Sequence, residues 1–386
     1  MDNKITTLIG LIALSVLAAC TTSPTAELMQ RGQITTPAFR DTLPFEMRND
    51  YIVVRAQLNG RPMAMDFVWA PGALHSTLSE ESVSYLGLDS LLDRETGMLL
   101  VDKVAFGEVV FEGHAFEVKD YPVPAPARCI AQGGILGSNL LRHCNWVVDF
   151  DAQQIVFMDK AQFATDPPAH RLPFKTHKVL GTPLIKAEVA GHGKQQLAVD
   201  LGYSGGLALS LEKAGQGGTA VYDAIAAGIL EPQSAAYRLH APSSLRAGDW
   251  QVDLPVVTAR AGEARLGNQI WQHYKVGLNF QTEELWLWPR KDAYQPQPQP
   301  LLGWLPRYDK DGGLSVGYLV EGSPAWEAGL RIGDKISVLG RRAAPAVFND
   351  YCTYLFTVQQ RFGQDDQIIL QLEKSEQPVR ISLQSQ

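Results

Sequence analysis

A short turn near the middle of the chain carries an aspartate that is placed to do chemistry. Ala198 and Val199 lead into Asp200, and Gly202 lets the chain turn sharply and expose the carboxylate. Such a carboxylate accepts hydrogen bonds. When a second carboxylate shares one proton with it, the two pKa values separate, so that one acid activates water and the other polarises a carbonyl group. The chemistry of this turn therefore depends on whether a second acid faces it.

A turn of similar design lies earlier in the chain, where Trp69 leads into Ala70, Pro71 and Gly72. Gly202 follows Gly72 by 130 residues, and the same spacing separates three further pairs: Gly137 and Gly267, His143 and His273, and Phe150 and Phe280. A constant spacing at both ends, with no gap needed, indicates an internal duplication. It places Ala70, which has no proton to exchange, opposite Asp200.

Other polar residues near these turns are weaker candidates for chemistry. Asp66 lies four positions before the first turn, on the order of 13 Å away along an extended strand, unless a bulge shortens that distance. No acid is spaced to complete a nucleophilic triad with His75 and Ser76, so we expect them in the turn and at the rim of a cleft. We expect Asp149 and Asp151 in a turn.

Strands must supply most of the framework around these turns. Alternation of apolar and polar residues predicts strands over 51–58, 63–69, 98–118, 146–150 and 155–158, with a hairpin at Asn59-Gly60. A short helix begins after the cap Ser79 and ends at Gly87. Beyond the stiff Pro/Gln segment 295–300, we expect strands over 314–320, 335–339, 367–372 and 379–383, and helices after Ser323 and over 347–362.

Most of residues 45–290 resembles the two-lobed bacterial retropepsin-like aspartic proteases. Three features carry the resemblance: the turn Asp200-Leu201-Gly202, the turn Ala70-Pro71-Gly72-Ala73, and the late elements Gly134-Ile135-Leu136-Gly137 and Arg265-Leu266-Gly267. The family has Asp-Thr/Ser-Gly at each turn, and its hydroxyl residue braces the two turns. Here Leu201 and Pro71 replace that residue and Ala70 replaces the first acid. The resemblance implies two β lobes around a cleft, with a degenerate first lobe.

The C-terminal part resembles a PDZ domain, a β-barrel-like fold with two helices. Ser323-Pro324-Ala325, Ala328-Gly329-Leu330 and Gly333-Asp334 match its pattern, and Leu302-Gly303-Trp304-Leu305 fits its carboxylate-binding loop. The resemblance implies a groove that accepts an extended peptide as an added strand, with backbone amides binding the C-terminal carboxylate.

The N-terminal residues are typical of a targeting segment. Lys4 precedes an apolar stretch over 5–18, and Leu17-Ala18-Ala19-Cys20 resembles the bacterial lipoprotein box, which implies cleavage before Cys20 and its acylation. An ordinary signal with a chance cysteine is the alternative. Thr21, rather than aspartate, follows the cysteine, which favours the outer membrane facing the periplasm. We interpret residues 20–48 as a tether between the lipid anchor and the folded part of the protein.

Charge, residue spacing and cysteine positions limit the partners, metal sites and disulfides that the sequence predicts. The 386-residue chain has a formal net charge of −7 and no long basic run, which does not favour nucleic acid as a partner. Residue spacing indicates neither a metal site nor a cofactor. In an oxidising compartment, Cys129 and Cys144 could form a disulfide within one domain, which would leave Cys352 buried and free.

The sequence thus predicts a mainly β protein with a signal peptide (1–19), a tether (20–48), two duplicated lobes (49–165 and 166–290), a linker (291–300) and a PDZ domain (301–386). We expect an envelope lipoprotein whose cleft and PDZ groove bind extended peptides or C-termini without cleaving them. Three alternatives remain: an active endopeptidase in which an unrecognised acid partners Asp200, a homodimer that pairs two Asp200 turns, and a scaffold whose PDZ domain recruits a partner.

Overall fold

The computed structural model describes residues 27–120, 126–179, 181–215, 217–223, 235–241, 243–254, 257–260, 262–291, 300–309, 313–340, 342–343 and 350–383. Strands make up 49% and helices 13%, so the fold is mainly β, as the sequence predicts. Within these ranges, none of the helices has the length and apolar character needed to cross a bilayer. The predicted signal peptide, Cys20 and most of the Pro/Gln linker lie outside the described residues.

Residues 27–165, apart from 121–125, contain eleven strands: β1 Gln33–Ile34, β2 Arg40–Arg48, β3 Tyr51–Leu58, β4 Met65–Trp69, β5 Ser76–Ser79, β6 Leu92–Asp93, β7 Met98–Phe106, β8 Val109–Lys119, β9 Gly134–Leu136, β10 Asn145–Asp149 and β11 Gln154–Met158. Short helices cover Glu80–Tyr85, Asp89–Leu91, Pro126–Ile130 and Ser138–Leu141. We refer to this part as the first repeat.

The described part of the second repeat, residues 166–290, contains twelve strands: β12 His170–Thr176, β13 Pro183–Val189, β14 Gly193–Val199, β15 Leu207–Ser210, β16 Thr219–Asp223, β17 Ala235–His240, β18 Ser243–Ala247, β19 Trp250–Leu254, β20 Val257–Arg260, β21 Arg265–Leu266, β22 Tyr274–Asn279 and β23 Glu284–Pro289. Its helices are Leu211–Ala214 and Asn268–Trp271.

Six strands are described in the C-terminal unit: β24 Trp304–Tyr308, β25 Leu314–Val320, β26 Lys335–Leu339, β27 Arg342–Ala343, β28 Gln367–Leu372 and β29 Val379–Ser382. Its helices are Pro324–Glu327 and Tyr351–Phe362. The first of these begins as predicted, because the Ser323 side chain accepts a hydrogen bond from the Trp326 amide and Pro324 occupies the first helical turn.

The first repeat closes into a six-stranded barrel in the order β3–β4–β9–β5–β8–β7, with β7 pairing back to β3. The predicted hairpin joins β3 to β4, and both of its turn residues have positive φ, 50° at Asn59 and 67° at Gly60. The barrel brings the parallel strands β4 and β9 side by side. These two strands lead to the Ala70 turn and the Gly137 element.

The predicted tether is wrong over Arg40–Arg48, because this segment is strand β2. It pairs with β11 on one side and with β3 on the other. Leu43 and Phe45 are buried, which shows an alternating pattern that the intervening Pro44 conceals in the sequence. The fold therefore begins before Tyr51.

A six-stranded sheet joins the two repeats in the order β2–β11–β10–β22–β23–β12. At its centre β10 and β22 run antiparallel, with Val147 opposite Gly277 and their neighbours paired symmetrically, Trp146 with Leu278 and Val148 with Val276. Residues 130 positions apart thus meet at the centre of the sheet. The pairing is that of two similar halves related by an approximate twofold axis.

The constant spacing does not extend through the middle of each repeat. Strand β5 runs parallel to the end of β8, with Ser76 opposite Phe116, whereas β15 runs parallel to β20, with Leu207 opposite Val257. In the second repeat the chain reaches β20, the parallel partner of β15, only after the additional hairpin β16–β17. Where β8 is one long strand, the second repeat has two, β19 and β20. The expectation that no gap is needed is therefore wrong.

The inserted hairpin attaches the C-terminal unit to the second repeat. Strand β16 pairs antiparallel with β25, with Val221 opposite Val320 and Asp223 opposite Tyr318. Tyr222 also stacks on Trp326, with ring centroids 5.7 Å apart and an interplanar angle of 9°. Backbone hydrogen bonds and aromatic packing thus make one continuous sheet of the two parts.

The expected pairing of Cys129 with Cys144 is wrong, because Cys129 forms a disulfide with Cys352, their Cα atoms 5.4 Å apart. Cys129 is in the helix Pro126–Ile130 of the first repeat, and Cys352 is in the helix Tyr351–Phe362 of the C-terminal unit. Cys144 is a free thiol in the core, and burial raises its pKa to about 12. Cys129 and Cys144 are close in sequence but do not pair, because the Cys144 side chain is buried in the protein interior.

We expect Cys352→Ser to lower the free energy of unfolding by about 2–4 kcal/mol, because the disulfide restricts the unfolded chain over a long loop. Denaturation monitored by tryptophan fluorescence measures this change, and Cys129→Ser should give the same value as the double variant. Peptide mapping without reduction checks the connectivity. Recovery of a Cys129–Cys144 peptide would contradict the structure.

Two histidines form a buried pair in the first repeat. The rings of His114, on β8, and His143 lie with centroids 5.0 Å apart. Nε2 of His143 has no hydrogen-bond partner among the described atoms, and the His114 ring has the backbone of Gln33 as a polar neighbour. Burial lowers the pKa of His114 to about 4 and that of His143 to about 3, because the charged rings would lose their hydration.

Since the unfolded chain binds these protons near pH 6.5, we expect the stability that the neutral pair provides to be complete above that pH and to decline as the pH falls toward 4. Urea denaturation at a series of pH values measures this decline. His114→Phe should reduce the slope of stability against pH, whereas the half-exposed control His192→Phe should preserve it. Equal slopes in both variants would count against the buried pair as the cause.

Candidate functional site

The two turns occupy equivalent positions at the ends of equivalent strands. The Ala70 amide donates to the Leu136 carbonyl at 3.0 Å, and the Asp200 amide donates to the Leu266 carbonyl at 2.9 Å. Strands β4 and β9 carry the first turn, and β14 and β21 carry the second. Parallel pairing positions both turns where the two repeats meet, and we call this contact between residues 70–73 and 200–206 the seam.

Each turn packs against the other through its glycine. A Cβ atom added to Gly72 would lie 2.3 Å from the Asp200 Cβ, and one added to Gly202 would lie 2.1 Å from the Ala70 Cβ. Only glycine permits this approach. Ala70 therefore faces the Asp200 turn from the place where a second acid would be needed.

The Asp200 carboxylate is buried, and both of its oxygens are hydrogen-bonded. The Gly202 amide donates to Oδ1 at 2.9 Å, and the Arg265 guanidinium donates to Oδ2 at 3.2 Å. Burial raises the pKa of Asp200, and Arg265 opposes that shift. Among the described residues, no acid is hydrogen-bonded to Asp200. The partner of Asp200 is instead Arg265. In the sequence, Arg265 was recognisable only as the first residue of the Arg265-Leu266-Gly267 element, not as the partner of an acid.

Asp66, considered above as a second acid, has other partners. Its carboxylate accepts a hydrogen bond from Arg48 at 2.8 Å and lies 3.5 Å from the Arg55 guanidinium. It occupies strand β4 directly opposite Arg55. Asp66 thus neutralises arginines on the sheet and is not hydrogen-bonded to Asp200.

His75 and Ser76 also have structural partners. His75 is hydrogen-bonded to Glu117. The Ser76 hydroxyl donates to Asn139 Oδ1 at 2.8 Å and accepts from the Gly137 amide at 2.9 Å. Both bonds of Ser76 are buried, so its hydroxyl connects the first turn to the element after β9 and is not a nucleophile.

The remaining acids considered above form a turn, as expected. Asp149 Oδ1 accepts from the amides of Asp151 and Ala152, both at 3.1 Å, and its other oxygen lies 3.0 Å from the Lys275 Nζ.

The described residues contain no group of three or more His, Cys, Asp or Glu side chains that could hold a metal ion.

Polar and aromatic side chains surround Asp200 on the second-repeat side. The guanidinium carbons of Arg260 and Arg265 each lie 5.9 Å from the centre of the Tyr203 ring. Arg260 is hydrogen-bonded to the Tyr203 hydroxyl, and Ser204 to that of Tyr51. Residues 202–206 are half-exposed, so solvent reaches this side of the seam.

The first-repeat side of the seam is covered by apolar packing. Eight residues around the first turn belong to the same hydrophobic core as the interior of the C-terminal unit: Tyr51, Val53, Val68, Ala70, Ala73, Ile130, Ala131 and Ile135. The same core includes Val221 of the inserted hairpin. The C-terminal unit therefore covers the Ala70 turn, while the Asp200 turn stays accessible at residues 202–206.

The expected carboxylate-binding loop has internal partners. Leu302, Trp304 and Leu305 are buried, and Gly303, with a φ of 71°, donates its amide to the Pro300 carbonyl at 2.9 Å. An amide that would bind a peptide carboxylate is thus already used within the loop.

The edge of β24 that would border the expected peptide groove is also hydrogen-bonded to a side chain of the same protein. The Tyr354 hydroxyl, on the helix Tyr351–Phe362, donates to the Pro306 carbonyl and accepts from the Tyr308 amide. Pro306 has no amide hydrogen to offer an added strand. Tyr308 and Tyr351 pack against Tyr354, with ring centroids 6.0 and 5.8 Å from its own. Addition of a peptide strand at this edge would have to displace these contacts.

No protein-family model matches the chain, and no curated protein matches its sequence. Function is therefore inferred from the geometry of the seam.

We expect Arg265→Met to destabilise the protein by about 3 kcal/mol at pH 7, because the buried Asp200 carboxylate loses its cation. The loss of Arg265 raises the pKa of Asp200 further, so the penalty should shrink as the pH falls and the carboxyl group becomes protonated. Denaturation at pH 7 and pH 4 measures both effects. Adding Asp200→Asn to Arg265→Met should recover most of the loss, and the exposed control Arg246→Met should cost little. A penalty that does not depend on pH or on Asp200 would refute the pairing.

Proposed function

We propose that this protein binds extended polypeptide segments at the seam between its two repeats without hydrolysing them. The resemblance to two-lobed retropepsin-like proteases supplies the class of ligand, and the N-terminal pattern supports attachment to the outer membrane through acylated Cys20. The C-terminal unit, with its resemblance to a PDZ domain, acts in this proposal as a cover over the first turn.

One observation carries the proposal: the position facing Asp200 belongs to Ala70, and the second carboxylate oxygen of Asp200 is bound by Arg265. Hydrolysis by an acid pair requires a proton shared between two carboxylates, with the charged acid activating water. Arginine cannot release a proton in this role, because its pKa lies far above neutrality. Among the described residues the seam therefore has no acid pair, while residues 202–206 beside Asp200 are half-exposed.

The geometry also gives less support to the alternatives. In the described structure the first turn packs directly on the Asp200 turn, so a second copy of the chain could pair its own Asp200 only by displacing the first repeat. Peptide capture at β24 is opposed by Tyr354, which binds the groove edge. We therefore assign binding to the half-exposed segment 202–206 rather than to the C-terminal unit.

Two measurements test the proposal with the purified protein. Binding is followed by the anisotropy of fluorescein-labelled, carboxymethylated α-lactalbumin, an unfolded chain. Cleavage of the same chain is followed by gel electrophoresis between pH 3 and pH 8. We expect saturable binding, and no cleavage that differs between wild type and Asp200→Asn.

Ala70→Asp serves as the informative comparison, because it introduces an acid at the facing position. Any cleavage that this variant acquires should disappear in Ala70→Asp/Asp200→Asn, which would show that the missing acid is what prevents hydrolysis. Cleavage by the wild type that is lost in Asp200→Asn would instead establish an endopeptidase. Absence of binding by the wild type would leave the scaffold alternative.

A further inference from the structure

We infer that residues 204–206, together with Arg260, form a subsite for the carboxylate group of a bound ligand. The inference deepens the proposed function, on which it rests, by naming the chemical group that the seam recognises. It depends on three features of the second repeat: consecutive backbone amides that donate to no described residue, an arginine that makes no ion pair with a described acid, and the absence of an apolar cover.

The backbone amides of Ser204, Gly205 and Gly206 donate no hydrogen bond to any described residue. The carbonyls of this segment, by contrast, are used, since Gly205 accepts from the Gln269 amide at 3.1 Å and Gly206 from the Gly267 amide at 2.8 Å. The segment is thus fixed by its carbonyls while three successive N–H groups remain available. Consecutive free amides of this kind form anion-binding concavities in proteins.

The first repeat pairs one amide of the corresponding segment. Ser76, 130 positions before Gly206, donates its amide to the Asn139 side chain at 2.8 Å. Gln269 lies 130 positions after Asn139, and the Gly206 amide donates to no described residue. The second repeat therefore leaves one more amide unpaired, on the half-exposed side of the seam.

Arg260 supplies positive charge beside these amides. It is half-exposed at the end of β20, hydrogen-bonds Tyr203 and makes no ion pair with any acid among the described residues. Arg265, the neighbouring cation, is paired with Asp200. The three charges that meet here, two arginines and one aspartate, leave a net positive charge.

A carboxylate matches this arrangement. Its two oxygens accept from a guanidinium in a fixed fork geometry and from backbone amides, and charge-assisted bonds of this type are the stronger ones. A polypeptide ligand has two sources of carboxylate, its C-terminus and its Asp or Glu side chains. The chemistry is the same for both, and they are separated by experiment.

The test uses equilibrium dialysis of the purified protein against three pools of random pentapeptides. The first two pools lack Asp and Glu and end in a free acid or an amide, and the third ends in an amide and contains one fixed Glu. We expect the acid pool to be retained at least about tenfold better than the first amide pool, because a charged carboxylate makes stronger hydrogen bonds to a guanidinium and to backbone amides than a neutral amide does. Retention of the Glu pool at the level of the acid pool would show that side-chain carboxylates also bind.

Arg260→Gln should reduce retention of the acid pool to the level of the amide pool. The matched control Arg246→Gln, at an exposed arginine on β18 of the same repeat, should leave it unchanged. Acetate should compete with the acid pool on the wild type, a measurement that does not depend on how the variant folds.

Equal retention of acid and amide pools, or an unchanged preference in Arg260→Gln, would overturn the carboxylate subsite and leave the proposed function standing. Stronger competition by inorganic phosphate than by acetate would overturn the assignment to carboxylate. No retention of any pool would overturn both the subsite and polypeptide binding at the seam.

Discussion

The contact between Gly72 and Asp200, and its counterpart between Gly202 and Ala70, is the constraint on which the rest of the seam depends. An added Cβ atom at either glycine would lie 2.3 Å or less from a side chain of the other turn. This approach buries Asp200 and so raises its pKa, which makes a compensating cation necessary. Arg265 supplies that cation from β21, the strand that is paired with the strand leading to the turn.

The symmetry of the repeats makes the difference in their chemistry visible. The same backbone hydrogen bonds position both turns, yet only one of them ends in an acid. The hydrogen bonds beside each turn also differ, since Asn139 accepts from the Ser76 amide in the first repeat, whereas the Gly206 amide in the second donates to no described residue. The two repeats thus share the framework that positions the turns, but one turn is covered and the other is accessible at residues 202–206.

The C-terminal unit is joined to this framework by three kinds of interaction. Strand pairing between β16 and β25 continues a sheet, the Cys129–Cys352 disulfide connects two helices, and an apolar core extends from the first turn into the unit. Interactions of such different strength and type favour a fixed placement over a tethered domain. The same placement explains why Ala70 is buried while residues 202–206 are not.

Local patterns predicted the individual elements well, because each depends on residues that are neighbours in the chain. The Asn59-Gly60 hairpin, the helix that begins after Ser79 and the strands of the C-terminal unit all follow from such patterns. Strand β2 was missed because Pro44 interrupts a pattern whose apolar residues are recognisable only once β3 and β11 bury them.

The sequence by itself determined that the chain is mainly β and that residue pairs recur at a spacing of 130 positions, which sets Ala70 against Asp200, since these are properties of residue type and spacing. Only the tertiary structure decided which partner Asp200 has, which cysteines are bonded and which amides stay free. Arg265 is 65 positions from Asp200, and Cys352 is 223 positions from Cys129. Such pairs are selected by where the folded backbone brings side chains together, and no pattern of neighbouring residues encodes that.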